Sequence, residues 1–331
     1  MKNLRREIVL AGVLAALMCV VALVAPSFFA AGNVRNLVVD ALPLLVAATG
    51  MTLLMLAGQI DISIGAQFAV CGVVLGLASK AGLPPIVAIA ITLAAGTSLG
   101  AINGFFVARL RVPAVIATLA GMAVLRGALR WWSGGQWIQD LPSSFRWFGA
   151  SQSSGQALFV ATALALFALA AAAVRWTRAG RELAAVGCDA EAARLIGIRP
   201  ERVVFRAFVL MGAFTACAAL LNFSRYAAVE IEAGLGFELE VIACVVVGGT
   251  AIQGGRGTLV GTLLGVLLLS AIGTVLVFLR ADPAWERAIQ GAIILIAVAF
   301  DGLWSRSSAP RARSRASASD ARTRARTGAD A

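Results

Sequence analysis

The sequence predicts an all-α polytopic membrane bundle of about ten spans, with both termini on the cytoplasmic side. Three observations carry that class. First, 60% of the residues are hydrophobic and 14% are charged, with a mean hydropathy of +0.88, a balance foreign to ordinary soluble domains. Second, apolar runs of about 17–25 residues recur along the chain, each long enough to cross roughly 30 Å of hydrocarbon. Third, most arginines fall in short segments between those runs or in the tail. The net charge of +11 therefore reports orientation rather than a nucleic-acid partner.

Run length, glycine, proline and charge place the spans, in order, at residues 8–25, 41–57, 62–78, 85–107, 113–131, 157–174, 207–221, 239–251, 258–279 and 286–303. The first run follows a basic start and ends without a convincing small-residue cleavage site, so it reads as a retained span. With the N-terminus inside, the inner segments carry Lys2, Arg5, Arg6, Arg109, Arg111, Arg256, the arginines of residues 175–206 and those of the tail. The outer segments carry fewer, Arg35, Lys80, Arg146, Arg225 and Arg280, together with the acids Glu230, Glu232 and Glu238. That asymmetry sets the orientation. Trp131, Trp132, Trp137, Trp147 and Phe148 then fall outside, as an interfacial aromatic belt or as a contact surface for an outer partner. Residues 1–305 read as one transmembrane domain. Residues 306–331, rich in Arg, Ala, Ser and Thr, read as a disordered basic tail that is solvated or touches anionic lipid heads.

The five cysteines, Cys19, Cys71, Cys188, Cys217 and Cys244, show no paired spacing, and the chain has no histidine. Zinc, haem and a disulfide framework are unsupported, and no cofactor is expected.

Four segments carry mechanism. In Ala57-Gly58-Gln59-Ile60-Asp61-Ile62-Ser63-Ile64-Gly65 an amide, an acid and a hydroxyl break an apolar stretch. Unwound backbone at membrane depth needs protein or a water-filled cavity around it. Asp61 and Ser63 either cap the third span by accepting backbone N–H bonds or mark a pathway, and the two roles are compatible. In the second segment Pro113 suits a first helical position. Thr118 bonds back to its own helix or faces the pathway, and Arg126 either snorkels or makes a buried pair. Gln59, Asp61, Ser63, Asn103, Thr118 and Arg126 form the candidate pathway set.

The third segment is the glycine-rich stretch holding Gly248, Gly249, Gly254, Gly255, Gly257, Gly261 and Gly265. A phosphate-binding P-loop needs Gly-Lys-Ser/Thr, and the only lysines are Lys2 and Lys80. The glycines suit a tight re-entrant turn, with Gly257, Gly261 and Gly265 spaced for close approach of another helix. The fourth is the polar island at residues 175–206. A helix over 181–186, a break at Gly187-Cys188-Asp189 and a short helix over 190–196 ending at Gly197 make a compact knob, with Pro200 preventing continuation. An ordinary amphipathic interfacial helix is the plainer reading.

Taken in order, AGQIDISIG, VPAVIATLAGMAVLRG, VGCDAEAARLIGI, GFELEVIACVVVGGTAIQGGRGTLVGTLLG and IQGAIILIAVAFD resemble the permease subunits of bacterial ATP-binding-cassette importers for simple sugars, the ribose, arabinose, xylose, rhamnose and autoinducer-2 type. The likeness spans residues 34–301. The chain departs at Gln59, where the family usually has Gly, and at Asp189, where it often has Asn. The resemblance implies a multi-pass protein of the bacterial inner membrane. It also implies a second permease subunit, identical or paralogous, ABC ATPase subunits below, a periplasmic solute-binding protein above and lipids around. Asp189, Glu191, Ala192, Ala193, Arg194 and Gly197 would then form the ATPase-coupling helix. Competing classes are an ion-coupled secondary transporter and a branched-chain amino-acid or nucleoside permease. A membrane enzyme lacks any nucleophile–base pair, metal cluster or cofactor loop to support it.

Overall fold

The computed structural model describes residues 2–278 and single positions between 282 and 295. The chain divides into two units, Met1–Ile294 and Leu295–Ala331, and the elements described here belong to the first. Helix α1 (Lys2–Val24) leads through a 3₁₀ turn (Pro26–Phe29) into α2 (Ala31–Leu56), followed by α3 (Ile64–Lys80), α4 (Pro85–Gly104) and α5 (Ala114–Ser133). A 3₁₀ segment (Ser143–Gly149) precedes α6 (Gln152–Trp176), α7 (Arg178–Cys188), α8 (Ala190–Leu195), α9 (Pro200–Phe223), α10 (Phe237–Val247) and α11 (Leu259–Phe278). Among the described residues there is no strand beyond an isolated Ile138–Val229 bridge.

Seven helical segments are long and apolar enough to cross a membrane, and the chain is an all-α multi-pass membrane protein. The expected span at 239–251 is overturned. It holds only α10, 11 residues, about 17 Å long and too short to cross. Gly249, at φ 90°, turns the chain away where the apolar run continues. The 62–78 run is α3, whose 17 residues fall just short of a bilayer core. Helix α2 begins ten residues earlier than its apolar run, because Asp40 is paired with Arg225 at the helix surface. Likewise Pro200 opens α9, so the non-spanning part of the polar island shrinks to the segment between α6 and α9. The 286–303 span and the 306–331 tail lie outside the described residues.

Helix α2 is the axis of the bundle. It has no polar face from Ala41 to Leu56, and every residue there is buried, as for any helix apolar all round. It packs against α6, α9, α10 and α11. The Thr52 and Thr262 hydroxyls share a 2.7 Å hydrogen bond that ties it to α11. The closest helix pair is α4 with α9. Gly96 and Gly100 fall four residues apart on one face, the small-xxx-small spacing that lets membrane helices touch backbone to backbone. A Cβ on Gly96 would lie 2.6 Å from the Gly212 carbonyl oxygen, and one on Gly100 would lie 3.0 Å from the Gly212 Cα.

At the end of the bundle opposite α8, Trp131, Trp132 and Trp137 are exposed. Trp147 is not: its ring is buried, 5.0 Å from Phe159, and Phe148 lies 6.0 Å from the same ring. These two belong to the packing of α6 rather than to an aromatic belt. The backbone N–H of Trp147 donates to the Ser224 carbonyl at 2.7 Å, fastening the segment to the end of α9.

A Gly212→Leu variant drives a side chain into the backbone of α4, a collision that side-chain rotation does not relieve. It is expected to lose at least about 3 kcal/mol, read as a fall in the unfolding midpoint of the detergent-purified protein. Gly12→Leu, with nothing within 4 Å of the added Cβ, is expected to leave the midpoint unchanged.

Candidate functional site

The α7–α8 knob begins at Thr177, whose hydroxyl caps α7 by accepting the Gly180 N–H. The helix starts three residues before the expected 181 and runs through Gly187 to Cys188. Asp189 then caps α8: Oδ1 accepts the N–H groups of Glu191 at 2.9 Å and Ala192 at 3.0 Å. Gly197, at φ 84°, ends the turn. Arg194 reaches Glu191 at 3.2 Å and bonds to Glu201 on α9, so α8 is anchored to a long helix. Ala193 is buried beneath it, whereas Leu195 and Ile196 are 90% and 74% exposed. Two bare aliphatic side chains thus stand at the tip of a charged knob.

Beneath the knob three backbones converge. The Gly255 N–H donates to the Leu56 carbonyl at 3.0 Å, joining the glycine-rich turn to the end of α2. A Cβ on Gly58 would lie 3.6 Å from the Gly187 Cα, and one on Gly254 would lie 2.6 Å from the Gly58 Cα. Both glycines have left-handed backbone, φ 74° and 93°, which side-chain-bearing residues rarely adopt. The loop after α2, the end of α7 and the turn before α11 therefore meet with no side chains between them.

That loop leads directly to a buried polar cage. Asp61 Oδ1 accepts the Ser63 N–H at 2.8 Å and its hydroxyl at 2.6 Å. Oδ2 accepts Gln67 Nε2 at 2.8 Å and Asn103 Nδ2 at 3.3 Å. The Ser63 hydroxyl in turn accepts from Gln67 and Asn103, each at 2.8 Å. Asp61, Ser63 and Gln67 are fully buried. Asp61 is thus the capping acceptor, while Ser63 accepts only side-chain donors and caps no backbone N–H. Thr118 bonds back to the Ala114 carbonyl at 2.8 Å and also accepts the Ile62 N–H at 3.1 Å, fixing α5 to the loop. Pro113 is the cap of α5 rather than its first residue.

Two members of the expected set are elsewhere. The Gln59 side chain takes no part in the cage; its backbone N–H bonds to Leu54 at 3.2 Å. Arg126, half-buried, donates to the Ala233 carbonyl at 2.9 Å and has no carboxylate within ion-pair distance among the described residues. Of the glycines, Gly248 and Gly261 lie backbone to backbone and Gly265 lies against the Cys244 carbonyl. The close approach is therefore between α10 and α11 themselves, and Gly257 clears Thr250, 2.6 Å from its would-be Cβ.

Toward the opposite end, a cavity of about 620 Å³ opens between α2, α3, α9, α10 and α11. Asp40, Asn222, Glu240, Ser270 and Thr274 supply its polar lining, and Phe68 and Phe237 give aromatic walls.

Residues 33–298 match the family described as branched-chain amino acid transport system / permease component. The chain belongs to this permease family. It is 36% identical over 259 residues to the autoinducer 2 import system permease protein LsrC of Enterobacter sp. (strain 638), covering 78% of this chain and 76% of that one. The LsrC proteins of Salmonella typhimurium (strain LT2) and Escherichia coli O9:H4 (strain HS) match at 36% identity over the same share of this chain, and over 75% and 76% of their own. No solved structure matches.

Several residues of this permease escaped the sequence reading. Gln67 completes the cage from one turn beyond Ser63, and an amide inside an apolar run was its only signal. Leu195 and Ile196 read as interior residues of a short helix, although α8 is too short to bury both. The polar lining of the cavity comes from five residues on four helices, two of them on α11, which no local pattern groups together.

In this permease, Asp61→Leu leaves the buried Ser63 N–H and hydroxyl without that acceptor, and Gln67 and Asn103 with only the Ser63 hydroxyl to donate to. It is expected to cost about 3–5 kcal/mol, measured by reversible unfolding in mixed micelles. Asn103→Leu removes one short bond and two long ones, and is expected to cost about 1 kcal/mol.

Proposed function

We propose that this chain is the transmembrane permease subunit of an ATP-binding-cassette importer in the bacterial inner membrane, passing a sugar-like solute delivered by a periplasmic binding protein. The observation that carries the reading is the knob and what it touches. Helix α8 and its cap present Leu195 and Ile196 outward, α8 is fastened to α9 through Arg194 and Glu201, and the preceding α7 meets the α2–α3 loop where Gly187 lies against Gly58. A force applied to α8 by a soluble ATPase would reach the end of α2, the Asp61 cage and the α10–α11 turn without crossing flexible side chains. Asp189, Glu191, Ala192, Ala193, Arg194 and Gly197 form the knob, with Leu195 and Ile196 as its contact residues. The sequence offers no phosphate-binding loop, so ATP is hydrolysed by the partner. The relatives are named as autoinducer 2 import permeases, which supports a sugar-like solute. The glycine-lined α10–α11 pair and the polar cavity support a pathway along that side of the bundle. A second permease subunit would complete the core, and residues 306–331 would be a tail outside the permease domain.

The family description, which names branched-chain amino acids, supports a second reading in which the solute is an amino acid. An ion-coupled transporter is less well supported. Asp61, the acid such a relay would use, is held by four donor groups rather than standing free.

In proteoliposomes holding the permease, its ATPase and its binding protein, Gly197→Pro and Glu191→Arg are expected to leave insertion and basal ATP hydrolysis intact. Solute uptake and the stimulation of hydrolysis by loaded binding protein are expected to be lost. Normal coupling in both variants would overturn the assignment of α8. Uptake by the permease alone, driven by an ion gradient, would overturn the importer reading.

A further inference from the structure

Beside the knob, the end of α4 and the start of α9 enclose a crevice that the importer reading does not use. Two adjoining cavities, about 380 and 300 Å³, share Ala108, Arg109, Glu201 and Arg202 in their walls. Arg111 and Arg199 complete the first; Phe105, Phe205 and Arg206 complete the second. The only carboxylate in either lining is Glu201, which is bonded to Arg194 and lies 3.8 Å from Arg111. Arg109, Arg199, Arg202 and Arg206 have no ion-pair partner among the described residues. The backbone that brings Arg109 and Arg111 here is irregular. Residues Phe105–Arg109 form a π turn, a feature frequent at functional sites, and Arg111 has φ 57°, rare for any residue but glycine.

We infer that this crevice binds the phosphodiester headgroup of an anionic membrane phospholipid, with an acyl chain along Phe105 and Phe205. Guanidinium forks match phosphate oxygens in pairs, and basic pockets between membrane helices hold such headgroups. The general excess of arginine on one side of the membrane explains why these side chains lie at this end. It does not explain why four of them, Arg109 and Arg202 shared by both cavities, Arg199 in the first and Arg206 in the second, line one crevice unpaired among the described residues. Phe105 and Phe205, 49% and 37% exposed, decide the occupant. A free phosphate would use the arginines and leave the aromatic wall bare, whereas a phospholipid covers both. The inference needs the chain to span a membrane and does not need it to be an importer.

The test is native mass spectrometry and thermal unfolding of the full-length permease in detergent, titrated with phosphatidylglycerol or phosphatidylcholine. Wild type is expected to retain phosphatidylglycerol and to be stabilised by it selectively. An Arg109→Gln/Arg206→Gln variant is expected to bind it about thirty-fold more weakly, since each basic side chain contributes a factor of about five. The control Arg175→Gln/Arg181→Gln removes two cations from the same end without touching the crevice, and is expected to keep wild-type binding. Equal loss in the control would overturn the site in favour of general charge attraction. Competition by millimolar inorganic phosphate or glycerol phosphate would overturn the lipid as occupant. If the glutamine pair does not fold, Arg109→Lys/Arg206→Lys keeps the charge but not the fork and is expected to bind with intermediate affinity; wild-type affinity there would overturn paired phosphate recognition.

Discussion

The backbone contact among Gly58, Gly187 and the Gly254-Gly255 turn is the constraint on which the α8 end of the permease depends. Three segments far apart in sequence meet at a distance that a Cβ on Gly187, Gly254 or Gly255 would prevent, and Gly58 joins them with left-handed backbone. Packing of this kind is stiff, because backbone has no rotamers to yield and protein interiors respond to strain by shifting whole elements. The knob, the α2–α3 loop and the α10–α11 turn are therefore one mechanical piece, although they belong to different parts of the chain.

The Asp61 cage answers the difficulty that this junction creates. A loop that interrupts the helices of a membrane protein exposes polar backbone in a place with little water. The carboxylate binds the N–H of Ser63, and Thr118 binds that of Ile62, so the first backbone groups of the broken segment are satisfied by side chains of the bundle. Gln67 and Asn103 then hold the carboxylate itself, supplying the donors that a buried anion needs. The loop is irregular in path yet tied at the Ile62 and Ser63 N–H groups and at both carboxyl oxygens of Asp61, while the buried Gln67 Oε1 has no partner.

Apolar run length made the helical class and most spans legible, because hydrocarbon thickness imposes it directly. It failed at α10, where the run continues for residues that the glycines have already turned out of a helix, and at α2, where Asp40 ends the apolar run but pairs with Arg225 in the turn after α9 and the helix continues. Asp61, Ser63 and Asn103 of the cage were visible in sequence as polar residues in the wrong solvent, and Gln67 was not singled out. Their mutual bonding was not visible, since Asn103 and Thr118 come from two separate helices, α4 and α5, whose approach to the loop no short stretch of sequence encodes. The Asp189 cap and the Gly197 stop were readable because capping is local chemistry. The outward turn of Leu195 and Ile196 was not, because exposure belongs to the assembled surface rather than to any short stretch.

Helix α2 is enclosed by its neighbours over the whole length from Ala41 to Leu56, and so meets almost no lipid there. Its solvent is protein, and its residues answer to the volume and shape of the surrounding helices rather than to the hydropathy that a lipid-facing helix must satisfy. The bilayer is felt first by α1, α5 and α6, whose surfaces are largely bare in the isolated chain. A change in membrane thickness would tilt that outer ring and leave the axis in place, much as a collar turns on a shaft.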